Sequence, residues 1–209
     1  MSAIEVKNLS RSYGDIDAVK DVSFNVPEKS FTVLLGPSGC GKSTILKMLS
    51  GLEQVSNGSI NIGGANVTDI EASKRGVSMV FQSYALFPHL NVKENIQFGL
   101  KVRKVPAEER ERKVEEAAKV VGLTELLDRK PANLSGGQRQ RVALARSSVS
   151  ASILIFSPTN SIFAPVFLKS KRVSISRIAW LMALSSSMRS IFETTSKLLS
   201  AISVALPCG

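Results

Sequence analysis

Nine residues constrain this chain more than any others. The strand-like run Phe31-Thr-Val-Leu-Leu35 leads directly into Gly36-Pro37-Ser38-Gly39-Cys40-Gly41-Lys42-Ser43-Thr44, which spells G-x-x-x-x-G-K-[ST]. An apolar helical pattern follows at Ile45, Leu46, Met48 and Leu49. A strand, a glycine-rich turn and a helix in that order form the context in which this motif cradles phosphates. Gly39 and Gly41 let backbone N–H groups turn inward, the helix presents its positive end, and Lys42 adds a point charge for the outer phosphates. Ser43 is placed to ligate Mg²⁺, with Thr44 beside it. The alternative, a glycine-rich turn that binds nothing, explains neither flank.

Alternating or β-branched runs at Ile4–Leu9, Val22–Val26, Phe31–Leu35, Ser59–Ile62 and Val77–Phe81 predict strands separated by Gly, Asn and Pro turns. They form a sheet-rich N-terminal lobe. From Asn91 the texture becomes helical: a charged amphipathic stretch runs from Pro106 to Val121 and ends at Gly122. A second helix is predicted after Leu134, because Ser135 is a good N-cap and Gln138 stands three residues later, as a capping box requires. Ile153–Phe156 reads as a short buried strand. Beyond it serine is abundant and no run holds a helix or strand period.

Charge separates the same regions. The chain carries 27 Lys+Arg against 17 Asp+Glu, but residues 148–209 hold six of those bases and a single acid, Glu193. Half of the net excess therefore lies in the stretch without a period. Cys40 and Cys208 imply no disulfide framework, since a bridge at Cys40 would obstruct the phosphate loop. The N-terminus lacks the basic-then-apolar pattern of a secretion signal, and the longest apolar run after Phe156, Ile178 to Leu184, falls short of the roughly 20 residues a bilayer span needs. A cytoplasmic protein is expected.

A second motif, Leu134-Ser135-Gly136-Gly137-Gln138-Arg-Gln-Arg141, stands about 90 residues after the loop. Ser135 and the two glycine amides, at a helix N-terminus, make a second anion site suited to a γ-phosphate. The pair of motifs resembles the signature of ABC ATPases, and the surrounding text looks most like the ATPases of bacterial carbohydrate or glycerol-phosphate importers. The resemblance covers residues 1 to about 156. It implies an α/β fold with a P-loop NTPase core of the ABC type: a β-rich subdomain, a helical signature subdomain over about 88–147, and an incomplete or aberrant C-terminal part, 157–209.

The same resemblance implies ATP and Mg²⁺ as cofactors. It assigns ATP contacts to Gly36 through Thr44, adenine stacking to Tyr13, and Mg²⁺ and attacking-water contacts to Gln82, so that Ser43 and Gln82 are the metal residues. It implies a homodimer or paired ABC ATPase, with ATP clamped between the loop of one chain and the signature of the other. Transmembrane permease subunits would dock on Gln82–Pro88, holding the protein at the inner face of the membrane. No nucleic-acid partner is expected, because the ABC ATPases that bind DNA insert a long coiled coil between the two motifs.

The text departs from the family after Phe156. Where the family has Asp-Glu-Pro, whose acids serve the metal and the attacking water, this chain has Ser157-Pro158-Thr159-Asn160. The one histidine, His89, sits beside the expected docking loop rather than at the family's switch position, and is expected at the surface. No catalytic residue is therefore assigned. Binding of ATP without useful hydrolysis is expected, from a degenerate or truncated ABC protein. The change of texture is what a frame shift in the coding sequence would produce. Lacking further strands, Phe31–Leu35 and Ile153–Phe156 should lose neighbours and leave a poorly stable chain.

Overall fold

A computed structural model describes residues 2–28, 30–81, 83–151, 153–156, 163–168 and 201–205. They divide into two compact units, one holding the residues up to 81 with 153–156, 163–168 and 201–205, the other holding 83–151.

The first unit contains two sheets. Strands β1 (Ser2–Tyr13) and β2 (Ile16–Pro27) form a long antiparallel hairpin, and β4 (Asn57–Ile62) and β5 (Ala65–Asn66) extend it in the order β2-β1-β4-β5. Both hairpin strands outrun the predicted Ile4–Leu9 and Val22–Val26. Irregularities in the β1/β2 register, between Val6 and Leu9 and again up to Ser12, interrupt the apolar alternation and hide the continuation from a pattern search.

The second sheet has the order β6-β7-β8-β3-β9, with β3 (Phe31–Leu35), β6 (Val77–Val80), β7 (Ile153–Phe156), β8 (Phe163–Leu168) and β9 (Ala201–Ala205). Strands β6 and β7 are parallel, as are β3 and β9, while β8 runs antiparallel between β7 and β3. This overturns the expectation that β3 and β7 lack neighbours. Residues after 157 supply two strands, and β3 is paired along both edges over its whole length.

Helix α1 (Lys42–Ser50) covers this unit's core. Its Ile45, Leu46, Met48 and Leu49 are fully buried with Ile4, Val6, Leu9, Phe24, Val26, Leu34, Ile60 and Ile155. Each such side chain contributes about 1.5–3 kcal/mol over leaving it in water. The helix that carries the phosphate loop is thus anchored by its whole apolar face.

The second unit is helical: α2 (Val92–Val102), α3 (Ala107–Val121) and α4 (Gly136–Ser150). Helices α3 and α4 lie where the sequence places them. Pro106 is the N-cap of α3 and Gly122 its left-handed C-cap at φ 65°, while Ser135 and Gln138 form the reciprocal capping box of α4. Helix α2 was not predicted individually, although Asn91 and Glu94 close a capping box at its start.

Candidate functional site

The phosphate loop leaves β3 at Leu35 and reaches α1 at Lys42. Gly39 and Gly41 have φ of 86° and 85°, in the left-handed region that glycine enters without penalty. Their surroundings differ. A Cβ on Gly39 would meet nothing within 4 Å, whereas one on Gly41 would lie 2.5 Å from the Ala18 carbonyl oxygen and 2.8 Å from a Val19 methyl. Strand β2 thus presses against the loop at Gly41, and Ala18 joins Ser38, Gly39, Gly41, Lys42, Ser43 and Thr44 around a cavity of about 200 Å³.

Lys42 is buried within this turn. Its ammonium donates to the carbonyls of Gly36 at 2.7 Å and Pro37 at 2.6 Å, and lies 3.4 Å from Cys40 Sγ. No carboxylate pairs with it by salt bridge among the described residues. The charge is held by neutral dipoles of the loop itself. Gly41 offers no side-chain cap to the first turn of α1, which contains no acid. A positive helix end and a buried cation without a counter-ion fit a polyphosphate. The fit to Mg²⁺ is narrower: the exposed Ser43 hydroxyl at the loop is the side chain available to it, and no group of three or more His, Cys, Asp or Glu that could hold a metal occurs among the described residues. Such an ion depends mainly on the phosphates for its ligands.

Tyr13 ends β1, is 45% exposed, and pairs in register with Ile16, close along the hairpin to Ala18 at the cavity. Gln82 lies outside the described residues, as do Ser157-Pro158-Thr159-Asn160.

The signature segment belongs to the helical unit. Leu134 is buried and anchors it, while Ser135, Gly136 and Gly137 are exposed and Gln138 is half-buried. Ser135 Oγ accepts from the Gln138 amide at 3.3 Å and the Gln138 side-chain oxygen accepts from the Ser135 amide at 2.7 Å. Arg139 donates back to the Leu134 carbonyl at 2.7 Å. The turn is therefore braced from both sides, leaving the two glycines at the surface.

The segment expected to dock a permease is less open than its sequence suggests. Ala85, Pro88 and His89 are exposed, but Tyr84, Leu86 and Phe87 are half-buried. Tyr84 and Ala85 have φ of 62° and 44°, a left-handed pair that costs energy for side chains of this kind. Arg146 holds it, donating to the Tyr84 carbonyl at 3.1 Å and the Ala85 carbonyl at 2.8 Å, with its guanidinium 5.5 Å from the Phe87 ring centre. Burial pushes the Arg146 pKa down from its usual value. Asn95, fully buried on α2, accepts from the Phe87 amide at 2.9 Å and shares its own amide hydrogens among the carbonyls of Phe87, Leu90 and Asn91. Neither residue was singled out from the sequence. The only signal for Asn95 was a polar residue at an apolar helix position.

Comparison with known proteins accords with this geometry. The ABC transporter family model matches residues 19–157. The maltose/maltodextrin import ATP-binding protein MalK of Mannheimia succiniciproducens is 46% identical over 180 residues, 85% of this chain and 48% of that one. The sn-glycerol-3-phosphate import ATP-binding protein UgpC of Brucella abortus is 46% identical over 181 residues, 85% of this chain and 51% of that one. A match over 85% of the chain is longer than residues 1–156, so the likeness to these two reaches past the expected limit, although the family model stops at 157. The chain spans about half the length of these curated relatives. Among solved structures, cbiO1 from Clostridium perfringens, part of the ABC transporter complex cbiONQ, superposes with a TM-score of 0.69 at 27% identity, covering 98% of this chain and 78% of that one. With the phosphate loop, the signature turn and these relatives in agreement, the chain belongs to the ABC transporter family.

Proposed function

We propose that this chain binds ATP with Mg²⁺ as the nucleotide-binding subunit of an importer for a carbohydrate or glycerol-phosphate solute. The observation that carries the reading is Lys42, a buried ammonium resting on two loop carbonyls at the positive end of α1. A triphosphate entering the cavity would take over those contacts, exchanging two neutral acceptors for charged ones. The amides of residues 39–44 would hold the phosphates, Ser43 the metal, and Tyr13 the adenine. Ser135, Gly136, Gly137 and Gln138 would face the γ-phosphate bound by a partner subunit, either a second copy or a paired ABC ATPase. The solute class rests on the names of MalK and UgpC.

The permease would meet the Gln82–Pro88 segment, whose Tyr84-Ala85 turn is held ready by Arg146. No helix among the described residues is long and apolar enough to cross a membrane, which accords with a peripheral cytoplasmic subunit.

A second reading is favoured by one specific observation. Ser157 and Pro158 stand where an ABC ATPase carries its metal-binding Asp and its Glu. A chain lacking both would bind ATP and turn it over slowly, since general acid–base catalysis alone contributes about 10²–10⁴-fold. One experiment tests both readings: ATP affinity with Mg²⁺, followed by phosphate release, on the purified chain and on Lys42→Ala. Binding that Lys42→Ala abolishes is the expected result. Phosphate release above the Lys42→Ala level would favour the transport ATPase, its absence the non-hydrolysing protein, and failure of the wild-type chain to bind ATP would overturn both.

A further inference from the structure

We infer that Arg11 and Glu53 position the Tyr13 ring and thereby set the preference of the site for a purine nucleotide over bare polyphosphate. This deepens the reading of Tyr13 as the base-stacking residue and rests on it. Three observations converge. The Arg11 guanidinium lies 4.6 Å from the centre of the Tyr13 ring, covering one face. Arg11 is fixed there by a salt bridge to Glu53 at 2.8 Å, with both side chains only about a fifth exposed. The same carboxylate is held below its ordinary pKa first by the Tyr13 hydroxyl, with Arg11 and Lys47 adding to it. One carboxylate thus holds the cation stacked on the ring and acts on the phenol of the same ring.

The clamp is tied to the phosphate loop by two routes. Glu53 follows the C-terminal turn of α1, where the Leu52 and Glu53 amides both donate to the Lys47 carbonyl, at 2.8 and 3.3 Å. From there the chain is stitched to β1, with the Ser56 amide donating to the Ser10 carbonyl at 2.9 Å and the Ser12 amide to Ser56 Oγ at 3.2 Å. The second route runs through β2, whose Ala18 abuts Gly41 while Ile16 pairs with Tyr13. Tyr13 is nonetheless 45% exposed, so a ring held on one face by a cation keeps surface for a base. A cation behind the ring draws its π density away and favours stacking of an electron-rich purine.

The test compares ATP with inorganic tripolyphosphate, titrated into the full chain and into Arg11→Met, Glu53→Gln, Arg11→Lys and Tyr13→Ala. Tyr13→Ala is expected to weaken ATP by about tenfold or more. Arg11→Met and Glu53→Gln should each weaken it by about three- to tenfold. Tripolyphosphate affinity should be unchanged in all of them, and Arg11→Lys, which keeps the ion pair, should recover part of the loss. Equal losses for ATP and tripolyphosphate would mean that the pair merely supports the fold and would overturn the inference. So would wild-type ATP binding in both clamp variants, and the nucleotide-binding reading would then survive alone. If wild-type protein binds tripolyphosphate and ATP equally and Tyr13→Ala changes neither, the assignment of Tyr13 itself falls.

Discussion

Arg75 donates from Nη1 to the Met48 carbonyl at 2.7 Å, closing the C-terminal end of the helix whose other end forms the phosphate site. The same guanidinium reaches the carbonyls of Leu49, Ile70 and Thr68, and Arg75 is only 7% exposed. Burial pushes its pKa down, and nearby Asp69 offsets this in part. A cation at the negative end of α1 is favourable, and its planar fork gives four carbonyls a charged donor, Met48 accepting from the Gly51 amide as well.

Arg75→Met should therefore destabilise the first unit by about 2–4 kcal/mol, because four carbonyls lose a charged donor at once and only Met48 keeps a backbone amide beside it. Urea unfolding at neutral pH checks this. The fraction that remains folded should still bind ATP, since Arg75 acts at the far end of α1.

Gly39 and Gly41 share a backbone conformation but not an environment. Gly39→Ala meets only the left-handed backbone penalty, about 1 kcal/mol, and should leave nucleotide affinity within a few-fold of wild type. Gly41→Ala must also displace the Ala18 carbonyl from 2.5 Å, so the loop has to open and ATP binding should fall by at least about a hundredfold. Parallel titrations of the two variants check the contrast.

Asn95 organises the segment that precedes α2. Asn95→Leu preserves volume but takes the acceptor from the Phe87 amide and the donor from the Leu90 carbonyl, while the Phe87 and Asn91 carbonyls keep the backbone amides of Leu90 and residue 95. A loss of about 2–4 kcal/mol is expected in the helical unit. Hydrogen exchange should show faster exchange at the Phe87 amide, the group whose acceptor is removed.

Glu53 supplies a pH signature. Its carboxyl is depressed in the folded chain, so its contribution to stability is complete above the ordinary carboxylate pKa and fades as the pH falls through the lower folded value. Glu53→Gln should accordingly lower the unfolding midpoint above about pH 5, and the gap from wild type should close as the pH falls through the lowered carboxylate value. Thermal unfolding of both proteins across that range checks the sign.

What the sequence by itself determined is local. The phosphate loop, the boundaries of α3 and the capping box of α4 are each written within about 15 consecutive residues, where period, caps and glycine positions act on their immediate neighbours. Helix α2 carries the same kind of signal at Asn91 and Glu94. Only the tertiary structure decided the rest. Arg75, Asn95 and Arg146 read as ordinary polar residues until the fold brings them to carbonyls as far as 62 positions away. Strands β8 and β9 were equally hidden: their segments show no sustained period, and Pro165, which stands opposite Val33 in the sheet, argues locally against a strand. Pairing with β3 along both edges overrides that local preference, because β-structure takes its stability from neighbours distant in the chain, which no sequence window contains.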